Sequence, residues 1–401
     1  MCSIVGGTKF DETAFKIYQN AKDRGRDFTG MCERHGLWVA NHRATPTTEN
    51  DAPRHNQPFG ATVKVVHNGV ISNDKDLGVK EGEIDSSVLA EVLDFTSLAA
   101  MRDSLAKVEG SYALAAMTQK TIYLACNYKP IWIGKKDNEY YFSSLEHHFE
   151  GTGIRPYRMK PYSVMNLLTG ETHDLPRQQS NRAIVICSGG LDSTAVAAYA
   201  CHEHGAENVL LVHFRYGCKA QKPEVMAIPK IAERLGCKHK FMELPYTEMT
   251  GGSPILQSED TISESIEGAE YAHEWVPARN FLFMAYTVAF AEANNYGHIY
   301  LGTNLEEGGA YPDNEEQFIR DVNACLYGAV QNGVKIEIHT PLGNLMKREI
   351  VEFGTKYNAP FDLSWSCYRD GDSHCGHCGP CYMRKMAFMR AGIADPTKYE
   401  E

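Results

Sequence analysis

Ala183-Ile184-Val185-Ile186-Cys187-Ser188-Gly189-Gly190-Leu191-Asp192-Ser193-Thr194 passes from an apolar run, through a small-residue loop, into the start of a helix. A short unbroken apolar run suits a strand buried on both faces. Gly189 and Gly190 let the backbone approach an anion closely, and the free N–H groups opening the next helix point at it. Ser193 and Thr194 add hydroxyl donors. The loop lacks a Gly-Lys-Ser/Thr ending, so it is not a Walker A loop, which excludes the common kinase and GTPase readings. A tight turn with Asp192 as helix cap is the plain alternative, but it does not require Ser, two Gly and Ser-Thr together.

Downstream of this loop the alternation repeats. Thr194 to Glu203 reads as helix, Val209 to Phe214 as strand, Val225 to Leu235 as helix and His239 to Met242 as strand. Phe281 to Ala293, Ile299 to Gly302 and Gln317 to Ala329 continue it, which predicts a parallel α/β sheet with helices on both faces. Upstream the chain is β-rich, with runs such as Thr62-Val63-Lys64-Val65-Val66 and Thr121-Ile122-Tyr123-Leu124, and helical patches at Ser86 to Leu93 and before Gly110. The polar stretch Thr172 to Arg182 reads as a linker. Two domains are expected, residues 1–175 and 183–401, joined through 176–182.

Bulk properties agree. A chain of 401 residues exceeds what one core supports, and 43% hydrophobic with 23% charged residues is ordinary for a soluble globular protein. No run reaches the roughly 20 apolar residues of a membrane span. Met1-Cys2-Ser3-Ile4 has no basic region before an apolar one, so no signal peptide is read there. Twelve cysteines without a secretion signal point to reduced thiols, metal ligands or catalysis, and to the cytoplasm. The net charge of −11 makes nucleic acid the less favoured partner, because phosphate tracking needs Lys and Arg.

Cys367, Cys375, Cys378 and Cys381 follow the spacing C-x7-C-x2-C-x2-C. Four thiolates at short intervals suit a tetrahedral structural zinc ion. An iron–sulfur cluster uses the same ligands, and zinc is favoured because nothing else suggests electron transfer. His374 and His377 stand among these cysteines and read as exposed bystanders.

At the other end, removal of Met1 would leave Cys2 with a free α-amino group of pKa about 7.7–8.0, the general base of an N-terminal nucleophile. A second-position cysteine alone says little. Here it is followed, in order, by Arg24-Gly25-Arg26-Asp27-Phe28-Thr29-Gly30, His42-Arg43, His67-Asn68-Gly69, Glu109-Gly110-Ser111-Tyr112-Ala113 and Lys129-Pro130. This set resembles the class II glutamine amidotransferases, whose fold is an α+β N-terminal-nucleophile hydrolase sandwich. The resemblance implies that Cys2 attacks the glutamine amide, that Asn68 and Gly69 supply the oxyanion hole, and that Arg43 and Asp85 hold the α-carboxylate and α-ammonium of glutamine. Asn-Gly is also a common hairpin turn, and Arg43 and Asp85 would serve equally as surface charges. Arg26 stands where that family usually has proline.

The phosphate loop resembles that of the N-type ATP pyrophosphatases, which adenylate a carbonyl oxygen and let a nitrogen or sulfur nucleophile displace it. Tyr216-Gly217, Val276-Pro277-Ala278-Arg279-Asn280, Tyr311-Pro312-Asp313, Lys347-Arg348-Glu349-Ile350 and Trp365-Ser366-Cys367-Tyr368, together with the cysteines, make residues 183–401 similar to the 7-cyano-7-deazaguanine (preQ0) synthases. The resemblance implies an α/β ATP pyrophosphatase domain in which Ser188, Gly189, Gly190, Leu191, Asp192, Ser193 and Thr194 bind ATP with Mg2+. Arg279 and Lys347 are candidates for neutralising phosphate or carboxylate charge, with a solvated surface role equally open for Lys347. Asp313 would accept from the N–H edge of the deazaguanine, since a carboxylate matches adjacent donors. The chain has Asn314-Glu315 where that family tends to have Cys-Arg, and Cys218-Lys219 where Gln-Arg is usual. The combined expectation is a glutamine- and ATP-dependent synthase that aminates adenylated 7-carboxy-7-deazaguanine to the nitrile, or on to a 7-formamidino base as in archaeosine enzymes. Two alternatives stand beside it: amidination of preQ0 already inside tRNA or DNA, and a non-enzymatic zinc-stapled interaction or defence protein, against which the intact Cys2 and Ser-Gly-Gly-x-Asp-Ser weigh.

Overall fold

The computed structural model describes residues 2–45, 52–244, 253, 255, 256, 262 and 275–400; Met1, whose removal the N-terminal nucleophile requires, lies outside them. The chain divides into two compact units, Met1–Arg177 and Gln178–Glu401.

The first unit holds two antiparallel sheets. One carries β1 (Ser3–Gly7), β2 (Phe28–Arg34), β3 (Leu37–Arg43), β7 (Trp132–Lys136), β8 (Glu139–Ser143) and β9 (Tyr157–Arg158) in the order β2-β3-β1-β8-β7-β9. The other carries β4 (Lys64–Ile71), β5 (Gly110–Met117), β6 (Ile122–Cys126), β10 (Ser163–Asn166) and β11 (Thr172–Asp174) in the order β11-β10-β6-β5-β4. Ile4, Val39 and Phe142 of the first sheet share one buried cluster with Val66, Ala113, Ala115 and Leu124 of the second. The sheets therefore pack face to face, giving the expected α+β sandwich. Asn68-Gly69 is not a hairpin turn: both residues lie inside β4, paired with Ala113 and Tyr112. Glycine is required at 69, because a Cβ there would sit 1.8 Å from the Ser111 carbonyl oxygen. Thr172–Asp174, expected in the linker, forms the edge strand β11, with His173 opposite Val164.

The second unit is built on one parallel sheet of β12 (Ala183–Ile186), β13 (Val209–Arg215), β14 (Lys238–Glu243), β15 (His298–Tyr300) and β16 (Glu337–His339), ordered β14-β13-β12-β15-β16. Alternate residues of β12 face opposite ways, as the two-residue period of a strand requires. Ile184 and Ile186 pack with Phe283, Met284 and Val288 of the helix Arg279–Ala293. Ala183 and Val185 pack with Ala195 and Val196 of the helix Leu191–His204 and with Ile228 and Ile231 of the helix Gln221–Leu235. Both faces are thus covered, and the strand is apolar throughout. The chain winds outward in both directions from β12, so the crevice beyond its carboxyl end is the switch point where α/β sheets take ligands. The loop Ser188–Gly190 sits there.

Candidate functional site

A cavity of about 270 Å3 occupies that crevice. Its wall includes Ser188, Gly190, Asp192 and Ser193 from the loop, and Arg279, Asp313 and Lys347 from elements that follow much later in the chain. The loop is folded by its own hydroxyls: Gly189 N–H donates to Ser193 Oγ at 3.1 Å and Gly190 N–H to Ser188 Oγ at 3.3 Å. Gly189 has φ +85°, a left-handed conformation that favours glycine. From outside, the Trp365 N–H donates to the Gly189 carbonyl at 2.7 Å.

Two of the alternatives fall away here. Asp192 does not cap its helix, whose N-cap is Gly190. Lys347 is not a solvated surface residue: its side chain is 12% exposed, and its Nζ lies 2.5 Å from Asp192 Oδ2 and 2.6 Å from Glu307 Oε1. Burial works against this ammonium, but the two carboxylates more than offset it and push its pKa up. Asp192 is raised to about 6, first by burial and further by Glu307, with Lys347 pulling the other way. Glu307 falls below its ordinary value, because Lys347 outweighs burial there. Asp192 Oδ1 is buried and has no hydrogen-bond partner among the described residues. A carboxylate oxygen left over beside a phosphate loop fits the Mg2+ that accompanies ATP, a cation that prefers oxygen ligands.

The polar network extends across the cavity. Asn280 N–H donates to Asp313 Oδ2 at 3.2 Å, and Asn280 Nδ2 donates to Asn314 Oδ1 at 2.5 Å. Asn314 Nδ2 then reaches Glu307 Oε2 at 3.4 Å. Asp313 is 8% exposed and its pKa is raised, chiefly by burial. Arg279 stays charged: burial opposes it, but Tyr216, Tyr368 and Asp313 hold its pKa above the ordinary value. Glu307, His213 and Glu224 escaped the sequence reading, and Asn280 entered it only inside a motif, with no role. His213 left a trace as a lone histidine in the apolar run of β13.

The four cysteines converge. Cys378 Sγ lies 3.8 Å from Cys367 Sγ, Cys375 Sγ 4.0 Å from Cys381 Sγ, and all four sulfurs fall within 4.8 Å of one another. Thiolates about 2.3 Å from one tetrahedral ion stand about 3.8 Å apart, so the cluster fits a metal of that class. All four cysteines are buried, and none forms a disulfide. His377 is exposed, whereas His374 is not. At 5% exposure, His374 accepts from the Ser366 N–H at 2.9 Å through Nε2 and packs on Trp365, with ring centroids 4.4 Å apart. It is a buried brace for the segment leading into Cys367.

In the first unit the register Ser3↔His42 sets Cys2 beside Arg43 at the ends of neighbouring strands. Cys2 Sγ lies 3.9 Å from the Ala44 carbonyl. Asn41 Nδ2 donates to the His67 carbonyl at 3.3 Å, tying β3 to the strand that carries Asn68. Arg43 is 2% exposed, which excludes the surface reading. Asn68 is also 2% exposed, and its Nδ2 has no hydrogen-bond partner among the described residues. A buried donor left unmade is costly, unless a ligand oxygen completes it. Asp85 accepts from Ile71 N–H at 2.7 Å and Ser86 N–H at 2.8 Å, so it also pins the end of β4.

A small-residue loop at a sheet's switch point, opening on a cavity lined by charged side chains, defines an α/β enzyme domain built to take a phosphate-bearing ligand, here following an α+β sandwich. A family model described as "Queuosine biosynthesis protein QueC" matches residues 182–392. The chain is 37% identical over 465 aligned positions to the 7-cyano-7-deazaguanine synthase of Saccharolobus solfataricus, with all of both chains covered. The synthase of Koribacter versatilis is 38% identical over 229 residues, covering 56% of this chain and 95% of that one. The chain belongs to the 7-cyano-7-deazaguanine synthase family. Among solved structures, glutamine phosphoribosylpyrophosphate amidotransferase from B. subtilis aligns over 100% of this chain and 98% of its own, at 14% identity and a TM-score of 0.39.

Proposed function

We propose that this protein is a glutamine- and ATP-dependent 7-deazaguanine synthase acting on the free base. In the first unit, Cys2, freed of Met1, attacks the glutamine side-chain amide, with its own amine taking the thiol proton. Asn68 and Gly69 stabilise the oxyanion, a contribution typically of about 3 kcal/mol. Arg43 grips the glutamine α-carboxylate as a fork, and Asp85 the α-ammonium. The ammonia released is the nucleophile for the second unit.

There Ser188–Thr194 hold the phosphates of ATP, and Asp192 would hold the accompanying Mg2+, which neutralises phosphate charge. Arg279 orients the carboxylate of 7-carboxy-7-deazaguanine, and Asp313 accepts from the N–H edge of the base. Adenylation turns a poor leaving oxygen into a good one, ammonia displaces AMP, and the amide is activated and dehydrated to the nitrile. Cys367, Cys375, Cys378 and Cys381 would hold a structural zinc that takes no part in these steps. The observation that carries the reading is the single cavity in which the phosphate loop, Arg279 and Asp313 face one another.

The test is mass spectrometry of the product formed from glutamine, ATP and 7-carboxy-7-deazaguanine, omitting each in turn. The expected product is the nitrile, with the 7-formamidino base as a later species on the same ring. A preQ0-containing polynucleotide is offered in parallel. Reaction of the polynucleotide alone, without ATP, would replace this reading with amidination on nucleic acid.

A further inference from the structure

The helix Gln221–Leu235 begins beyond the carboxyl end of β13 and turns Glu224 into the cavity wall, beside Cys218 and His213. The Glu224 side chain is 15% exposed and that of His213 2%. Among the described residues, His213 is the one basic group within ion-pairing distance of this carboxylate, with Nε2 3.9 Å from Oε2. The Cys218 thiol donates to the same Oε2 at 3.6 Å.

The state of His213 follows from its other nitrogen. Nδ1 lies 3.0 Å from the Cys187 carbonyl oxygen, which can only accept, so Nδ1 carries the hydrogen. Burial keeps the ring neutral, with a pKa near about 4. Nε2 is therefore a bare lone pair, and it has no hydrogen-bond partner among the described residues. A carboxyl group and an imidazole lone pair thus face each other on a cavity wall. Among the described residues, Arg279, Tyr216, Cys187, Arg215 and Glu243 are further titratable groups around them. Burial lifts Glu224 to about 8, with Arg279 pulling it down. A buried carboxyl group without a fixed cation destabilises the fold, and in a ligand cavity such a group marks proton chemistry.

We propose that Glu224, backed by His213, takes the proton that ammonia must lose when it displaces the adenylate. The inference rests on the synthase reading above. The ammonia lone pair forms the C–N bond to the acyl carbon while the bond from that carbon to the AMP oxygen breaks, and AMP leaves with the electron pair. The nitrogen then carries one proton too many. That proton passes to the Glu224 carboxylate, leaving the neutral amide, and Glu224 releases it to solvent within the cavity before the next turnover.

The experiment separates the two half-reactions in the full-length protein. Adenylation is followed as pyrophosphate–ATP exchange dependent on 7-carboxy-7-deazaguanine, and amination as product formed with ammonium salt. Glu224→Gln should keep the exchange while slowing amination by about 10²–10⁴-fold, the usual range for a lost acid–base group. Glu224→Asp should recover part of the amination rate. Equal loss of both half-reactions in Glu224→Gln would mean a structural role, and wild-type amination would mean no role; either overturns the proposal alone. Wild-type protein without carboxylate-dependent exchange would overturn the synthase reading and this proposal with it.

Discussion

Lys347 Nζ lies 2.5 Å from Asp192 Oδ2, across 155 positions of sequence, and 2.6 Å from Glu307 Oε1 on its other side. One ammonium thus serves two carboxylates at the mouth of the phosphate loop. The helix Lys347–Lys356 brings the cation there from its first residue, and the loop brings the anion.

Lys347→Met tests this arrangement. Removing the cation leaves two crowded carboxylates, a loss of about 3 kcal/mol, at the low end for broken buried pairs because Glu307 is more than a third exposed. Without Lys347 both carboxyls have folded pKa values above their unfolded ones, so protonation favours the fold. The deficit relative to wild type, measured by urea unfolding, should be largest near pH 8 and shrink towards pH 5. A deficit constant over that range would contradict the pairing.

Cys2→Ala should abolish glutamine-supported synthesis and leave ammonium-supported synthesis intact, because it removes the nucleophile of one unit only. Asn68→Ala should lower glutaminase kcat by about 10²–10³-fold with the same ammonium rescue. Both are read by parallel glutamine and ammonium assays. Loss of both activities with the fold preserved, by circular dichroism, would sink the two-site scheme.

One zinc per chain is expected by plasma emission spectrometry. Cys378→Ser should lower the thermal midpoint before it alters the kcat of the protein that remains folded. Iron with visible absorbance would assign the four sulfurs to a different ion.

Acid should destabilise the protein in a defined window. His42, fully buried between Thr29 Oγ1 and the Tyr18 carbonyl, and His298, whose Nδ1 faces His339 Nε2 at 3.0 Å, have pKa values near about 4, both lowered first by burial from the ordinary 6.5. The unfolded chain then binds more protons than the folded one between those values. The contribution of these two histidines is complete above pH 6.5 and falls as pH drops from there towards 4. A fall in thermal midpoint over this interval that is as steep in His42→Gln and His298→Gln as in wild type would refute the assignment.

The elements legible in the sequence were those whose meaning is local. The loop Ser188–Thr194, the cysteine spacing and the strand–helix alternation each declare themselves within a few residues. Asp313 and Arg279 were legible through family resemblance. Glu224 and Glu307 were not, because their surroundings exist only once the sheet order carries their elements to the end of β12. His374 was misread for a related reason: a histidine among cysteines in a glycine-rich turn suggests solvent, and only the closing of Trp365 and Ser366 over it makes it interior. Asn68-Gly69 has two local meanings, and the Ser111 carbonyl packed against Gly69 decides for the strand.

The hydrogen bond from the Trp365 N–H to the Gly189 carbonyl ties the phosphate loop to a residue two positions ahead of Cys367. The cysteine cluster therefore does more than stiffen the end of the chain, since the same backbone segment ends at one of its sulfurs and begins at the phosphate loop. Protein purified through a strong chelator would therefore open first in that segment and the loop it braces, at a temperature the metal-loaded protein withstands. If the first unit releases ammonia as proposed, a cell short of the metal would see the two halves fail unequally, with ammonia made and nothing to receive it.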